Sequence, residues 1–189
     1  MPTLNPAVNG VQFSAAYAEA IATAPIDRVM LACYELRHSA FLDEFGAAYA
    51  PRIVNDHADF TATLEATAPL NPSTAVLFKA LPVEVSGPDE SDSGQTPAIT
   101  IAIDGVSQLL VQQLDYALAS LEPVQLTERI YASDDPSGPA VMPVLTMVLR
   151  DVQVTDTRVT AKAVFFDASN RGFPRQEFTP LLYPGITAR

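Results

Sequence analysis

The sequence predicts a mainly β protein, an antiparallel sandwich or barrel with one or two short helices and an extended, proline-rich C-terminal arm. Apolar and polar residues alternate with a period of two in about seven short segments. Turn residues separate these segments at short intervals, which is typical of antiparallel sheets. Helices do not alternate regularly with the strands, so a doubly wound parallel sheet is not expected.

The first predicted element is a short helix. Ser14 is its N-cap, residues 15–23 are mostly good helix formers, and Ala24-Pro25 ends the run. Its apolar stripe is thin, so we expect the helix to lean on another surface.

The next segments alternate as strands do. Residues 29–38 are apolar on both faces at first and on one face at the end, where Glu35 and Arg37 take the outward positions. Residues 52–55 predict a short strand. Residues 59–65 alternate most cleanly. Their apolar and polar faces consist of Phe60, Ala62 and Leu64 and of Asp59, Thr61, Thr63 and Glu65, respectively.

The middle of the chain continues this pattern. Residues 76–85 predict one strand, with Pro82 marking an edge or a bulge. Residues 86–97 contain no hydrophobic residue and predict a surface loop, or a segment that a partner orders. Residues 98–104 predict a strand with three isoleucines on one face, and residues 107–121 a helix.

Three further strands complete the predicted domain. Residues 122–133 alternate, and residues 134–139 form a turn. Residues 144–154 and 158–166 are the best hairpin candidate, joined by residues 155–157.

The arm follows the last strand. Pro174, Pro180 and Pro184 exclude a helix there, yet many neighbours are apolar. These are Phe173, Phe178, Leu181, Leu182, Tyr183 and Ile186. An extended apolar arm must dock on its own domain or on a neighbour. We therefore divide the chain into an N-terminal segment (1–25), a β domain (26–169) and a docking arm (170–189).

Composition narrows the class of protein. A hydrophobic content of 48% excludes global disorder, and a charged content of only 17% favours oligomerisation. The sequence has no run of 18 apolar residues and no signal-peptide pattern at residue 1, so we expect no membrane anchor. The net charge of −11 argues against sequence-specific nucleic-acid binding, although an acidic wall suits a conduit through which nucleic acid slides.

The sequence carries no strong catalytic motif, so we expect no enzyme, no catalytic residue, no cofactor and no metal site. The densest polar cluster is residues 55–59. There His57, Asp56 and Asp59, with the distant His38, would in principle hold a metal ion or act as an acid–base pair. A solvated turn is the simpler interpretation.

Three other candidate sites have simpler interpretations. Cys33 with His38 as base would form a nucleophile, but their odd spacing puts them on opposite faces of a strand, so a buried structural thiol is favoured. Asp89, Glu90 and Asp92 lack the spacing of a calcium loop and predict a solvated charge run. Arg171 and Arg175 either dock the arm on an acidic surface or face water.

Several blocks together carry a family resemblance. They are residues 28–38, 52–56, 60–65, 78–85, 101–106 and 173–186, the last ending Tyr-Pro-Gly-Ile. In this order they resemble an uncharacterised family of tailed-bacteriophage minor-tail and tail-tip proteins. Residues 69–74 look like an insertion relative to that family, and the N-terminal helix lies outside the resemblance.

The resemblance implies a virion structural protein at the distal end of the tail, made in the host cytoplasm. Such proteins are similar in role to distal tail proteins, which form a ring between the tail tube and the hub. It implies a homo-oligomer, with a hexamer expected and a trimer as runner-up, contacting tail-tube and hub proteins. The alternatives are a trimeric hub subunit and a stand-alone ligand-binding β-sandwich, for example one that binds sugars. The absence of Trp and the 8% aromatic content count against the latter.

Overall fold

In its described residues the protein is mainly β with two short helices, as the sequence predicts. The computed structural model describes residues 10–23, 28–43, 45–87, 98–106, 108–120, 122–155 and 157–165. The predicted arm and most of the 86–97 loop lie outside the described residues.

The helices are α1 (Ala15–Thr23) and α2 (Gln108–Leu118). The strands, in chain order, are β1 (Gln12–Phe13), β2 (Met30–Arg37), β3 (Arg52–Val54), β4 (Phe60–Thr63), β5 (Ala75–Ala80), β6 (Val83–Ser86), β7 (Ala98–Asp104), β8 (Gln125–Ala132), β9 (Val141–Met142), β10 (Leu145–Val154) and β11 (Arg158–Phe165). The two-residue strands β1 and β9 were not predicted.

Nine of these strands form one sheet in the order β4-β5-β3-β2-β8-β10-β11-β7-β6. Neighbouring strands are antiparallel except β3 and β5, which are parallel. The predicted hairpin is confirmed, because β10 and β11 pair along most of their length. Strands β1 and β9 form a separate antiparallel ribbon.

The sheet curls on itself between β3 and β6. Strand β5 pairs with β3, and β6 pairs with β7 at the far edge of the sheet. Two residues, Leu81 and Pro82, link β5 to β6, and they bridge about 10 Å at most. Strand β6, at one edge, must therefore lie close to the junction of β3 and β5, which closes this part of the sheet into a barrel. We call this junction the seam. Two hydrogen bonds hold it together: Leu81 N donates to Val54 O at 3.1 Å, and Val83 N donates to Asn55 Oδ1 at 3.2 Å.

The prediction of a single strand over residues 76–85 is therefore wrong. Pro82 has no N–H to continue a ladder, so the chain leaves β3 there and pairs with β7 instead. The prediction that Pro82 marks an edge is confirmed, since β6 is the last strand of the sheet.

The main hydrophobic core lies inside this curl. Helix α2 closes it with Leu110, Leu114 and Ala117, all at helical spacing. The strands contribute alternate residues, among them Tyr34, Leu36, Ile53, Ile101, Ile103, Leu126, Met147, Leu149, Val159, Ala161 and Ala163. The isoleucine face predicted for residues 98–104 is thus the core face.

A second core lies on the outer face of β2 and β8. Strands β4 and β5 cover it, so both faces of β2 and β8 are buried. Its members are Leu31, Cys33, Val54, Ala62, Leu64, Ala68, Val76, Phe78 and Tyr131. The Tyr131 ring packs against Phe60 and Phe78, with centroids 5.8 Å and 5.9 Å away.

Candidate functional site

The polar cluster at residues 55–59 is a turn between β3 and β4. Asp59 accepts hydrogen bonds from Ala80 N at 2.8 Å and Lys79 Nζ at 3.0 Å. The Ala80 hydrogen bond first, and then Lys79, lower the pKa of Asp59. Asp56 and His57 are exposed. Within the described ranges, no group of three or more His, Cys, Asp or Glu residues is placed to hold a metal ion.

The structure does not bring the two histidines together. Asn55 N bonds Ala32 O, and His38 lies six residues further along the chain, roughly 20 Å in extended conformation. His38 Nδ1 accepts from Ala40 N at 3.0 Å, while Nε2 lies 2.9 Å from Ser120 Oγ and 3.1 Å from Glu122 O. Because Nδ1 is an acceptor, the proton of the neutral ring sits on Nε2. His38 therefore joins the end of β2 to the link between α2 and β8 and is not oriented to take a proton from Ser120.

Cys33 is a buried structural thiol, as predicted. It is fully buried in the second core, on the face of β2 opposite the main core. Burial raises the pKa of the Cys33 thiol to about 12, so the reactive thiolate is suppressed at neutral pH.

A buried ion-pair cluster lies beside the second core, and the sequence analysis did not predict it. Arg129 on β8 donates to Glu65 through Nε at 2.7 Å and Nη2 at 2.8 Å. Its Nη2 also lies 3.6 Å from Glu35 on β2. Arg52 on β3 donates to Glu35 at 2.8 Å, and Arg37 Nε lies 3.5 Å from the same carboxylate. The cluster thus ties β2, β3 and β8 to the segment after β4.

The outward placement predicted for Glu35 and Glu65 is wrong. Both are buried, because the β4–β5 layer covers the face of β2 that alternation assigned to solvent. Burial opposes ionisation of Glu65, but the Arg129 hydrogen bonds outweigh it and lower the pKa of this carboxyl. The signal was present in the sequence, since Leu31 and Cys33 share the parity of Glu35 and are apolar.

A surface groove of about 460 Å³ lies over β7, β10 and β11. A bulge forms it: Asp151 and Val152 together oppose Ala161, and Asp151 has φ 51°. Asp151 pairs with Lys162 at 3.1 Å. Among the described residues that line the groove, none is aromatic, which is unlike a sugar platform.

An exposed apolar surface lies at the end of the barrel where β2 ends and β8 begins. We call it the hairpin–helix patch; it consists of Leu42, Phe45, Tyr49 and Tyr116, all exposed. Phe45 is 86% exposed and Tyr116 69%. Gln113 Nε2 donates to Leu42 O at 2.8 Å, which joins the hairpin to α2, and Tyr116 follows Gln113 by one helical turn.

Helix α1 presents a second apolar surface at the opposite end. Ser14 caps it, since Tyr17 N donates to Ser14 Oγ at 3.1 Å, as predicted. No α1 residue is buried, and Ile21 is 68% exposed. The helix is held by the β1–β9 ribbon and by Arg28, which bonds Glu19 at 3.2 Å and Asp134 at 2.8 Å.

Comparison with known proteins assigns a family. The model of a domain of unknown function, DUF1833, matches residues 16–178, so the chain belongs to this family. The match begins inside α1 and ends within the predicted arm. No curated protein matches the chain. Among the described residues, no helix is long and apolar enough to cross a membrane.

Proposed function

We propose that this DUF1833 member is a virion structural protein of a phage tail tip or baseplate, an oligomeric ring subunit that links the tail tube to the hub. The observation that carries the proposal is the hairpin–helix patch. A Phe that is 86% exposed beside exposed Tyr and Leu side chains is costly to leave in water, and such patches mark association surfaces.

Three further features support an assembly role. Helix α1 leaves a second apolar surface exposed at the opposite end of the barrel, which suits a contact with a neighbouring protein other than a copy of this chain. The candidate catalytic or metal-binding residues taken from the sequence also have structural roles. They are His38, Cys33 and the turn at residues 55–59. The net charge of −11 suits a ring through which DNA passes without being held.

One observation favours a second candidate, a ligand-binding β module. The groove over the β10 bulge carries Thr100, Gln153, Thr160 and the Asp151–Lys162 pair, which are groups that hydrogen-bond polyols. A glycan array with the full-length protein tests this, and Thr160→Val should abolish any signal if the groove is the site.

The virion role is tested by antibody–gold labelling of purified particles under negative-stain electron microscopy. Label confined to the distal tip of the tail is the expected result. Absence of the protein from particles, with the antibody shown to detect it in lysate, would exclude the virion role.

A further inference from the structure

We propose that the hairpin–helix patch binds the arm, residues 170–189, of an adjacent copy of this chain. The inference rests on the proposed ring and names the contact that would close it: a proline-rich, apolar and basic segment seated on an apolar surface with acidic neighbours.

The patch is preformed. Asp43 Oδ1 accepts from Phe45 N at 2.9 Å and Ala47 N at 2.8 Å, which fixes the hairpin turn. Gln113 anchors the hairpin to α2 through Leu42 O. The exposed ring of Phe45 is therefore presented on an ordered backbone, so a ligand meets it with little loss of conformational freedom.

The size of the patch suits a segment better than a flat face of a second domain. Its three exposed rings offer roughly 300–500 Å² of apolar area, by the usual area of an aromatic side chain. A stable interface between two rigid partners needs about 800 Å² on each side. An extended arm can bind a patch of this smaller area, because it brings apolar side chains at short intervals and can continue along the surface.

The net charge of the arm makes it a better partner for the patch than the rest of this chain. Residues 171–189 contain three arginines and one glutamate, a net charge of +2. The other 170 residues then hold eight basic and 21 acidic side chains, a net charge of −13. Asp43 and Asp115 adjoin the patch residues Leu42 and Tyr116 in the chain, and Glu122 accepts a hydrogen bond from Ser39, three residues before Leu42. This acidic surrounding attracts Arg171 and Arg175 and repels an acidic body.

Strand direction favours an adjacent copy over the arm's own domain. Strand β2 runs toward the patch, whereas β11 runs antiparallel to β2, through β8 and β10. Strand β11 therefore reaches its last residue, Phe165, at the end of the barrel opposite the patch. A neighbour placed head-to-tail meets the arm there, which is a heterologous contact of the kind that closes rings.

Site-specific photo-cross-linking of the full-length protein tests the inference. A benzophenone amino acid replaces Tyr116, and ¹⁴N- and ¹⁵N-labelled preparations are mixed before assembly. We expect cross-links from position 116 to residues 170–189 in mixed-label pairs. Same-label pairs alone would place a chain's own arm on the patch, and an absence of cross-links to the arm would mean another occupant; either result overturns the inference.

Two variants provide the matched comparison. Phe45→Ser should lower the cross-link yield by roughly tenfold, as expected for loss of one buried aromatic anchor. Ile21→Ser, which changes an apolar residue that is 68% exposed at the other end, should leave the yield unchanged. Equal loss in both variants would contradict a specific role for the patch. Gold label at the tail tip together with no arm cross-link would reject this contact and leave the proposed function standing.

Discussion

Among the described residues, Arg129 is one of the largest fully buried side chains. It is about 1% exposed and sits between two buried carboxylates, Glu35 and Glu65. Burying three charges is costly unless each is paired, and the pairing here is bidentate on one side. The cluster therefore fixes how the β4–β5 layer sits on β2 and β8.

Removing the arginine should unfold much of this arrangement. We expect Arg129→Ala to lower the free energy of unfolding by about 3–5 kcal/mol, because Glu65 loses its bidentate partner while buried and Glu35 keeps only Arg52 and Arg37. Urea unfolding measures this. The control is Lys162→Ala, which removes an exposed ion pair with Asp151 and should cost less than about 1 kcal/mol. Equal costs would mean that the cluster is not a stabilising unit.

The ionisation of Glu65 makes the stability that the ion-pair cluster provides depend on pH. Its pKa is lower in the folded chain than the ordinary value of 4.5, so its stabilising contribution is present above that pH and is lost as the pH falls through the folded pKa. Glu65→Gln should therefore be less stable than wild type at pH 7, and the gap should narrow below about pH 4.5. Urea titrations from pH 7 to 3 test this. A gap that does not change with pH would contradict the ionised pair.

For single residues, the sequence predictions are correct where the local sequence pattern determines the structure. The Ser14 cap and the buried Cys33 thiol follow from short-range pattern, and both are confirmed. Alternation misplaced Glu35 and Glu65 because it reports one strand and its period, whereas their burial depends on a second layer contributed by a distant segment. The exposed Phe45 and Tyr116 also gave no periodic signal.

Among the elements, α1 is the one whose stability is most local. It has nine residues, buries none of them, and is attached by the β1–β9 ribbon before its first turn and by Arg28 at Glu19 in its middle. An isolated helix of that length is marginal in water, so its cap matters. The expectation that it leans on another surface stays a prediction, now with an exposed Ile21 as the contact to examine.

Loss of the cap should therefore loosen the helix and spare the barrel. Ser14→Ala should cost the helix about 1 kcal/mol and speed hydrogen exchange in residues 15–23. The midpoint of global urea unfolding should stay within error, and Ser14→Thr, which keeps the hydroxyl, should retain protection. A parallel fall in global stability would show that α1 belongs to the cooperative core.

Strand positions were predicted well and their interruptions poorly. Residues 98–104 and the 144–154/158–166 hairpin match the structure closely, since their alternation is strong. The bulge at Asp151 was not predicted. It changes which residues face inward, from Met147 and Leu149 before it to Val152 and Val154 after it. In a sequence pattern with a period of two, one inserted residue shows only as a shift of the apolar positions from odd to even numbers or the reverse.

For the whole molecule, the mainly β class follows from the sequence, but the closure does not. The seam depends on β5 pairing in parallel with β3, and alternation carries no information on partners or direction. The second core likewise depends on which strands pair, because β4 and β5 must be placed over β2 and β8. The family assignment adds the extent of the match, which runs through residue 178 and includes part of the arm.

Truncation separates the arm from the fold. Deleting residues 174–189 should block assembly while the sheet content by circular dichroism stays intact, because the two described cores draw on residues 31–163. Reversing Arg171 and Arg175 to Glu in the full-length chain should weaken assembly in the same direction. Loss of the β signal on truncation would instead make the arm part of the domain core.

The central claim is that the chain is an assembly subunit that closes a ring, and native mass spectrometry of the full-length protein tests it most directly. We expect one dominant closed oligomer, of six copies or alternatively three, which dissociates in Phe45→Ser and persists in Ile21→Ser. A monomer at all concentrations, or an open-ended ladder of masses, would contradict it.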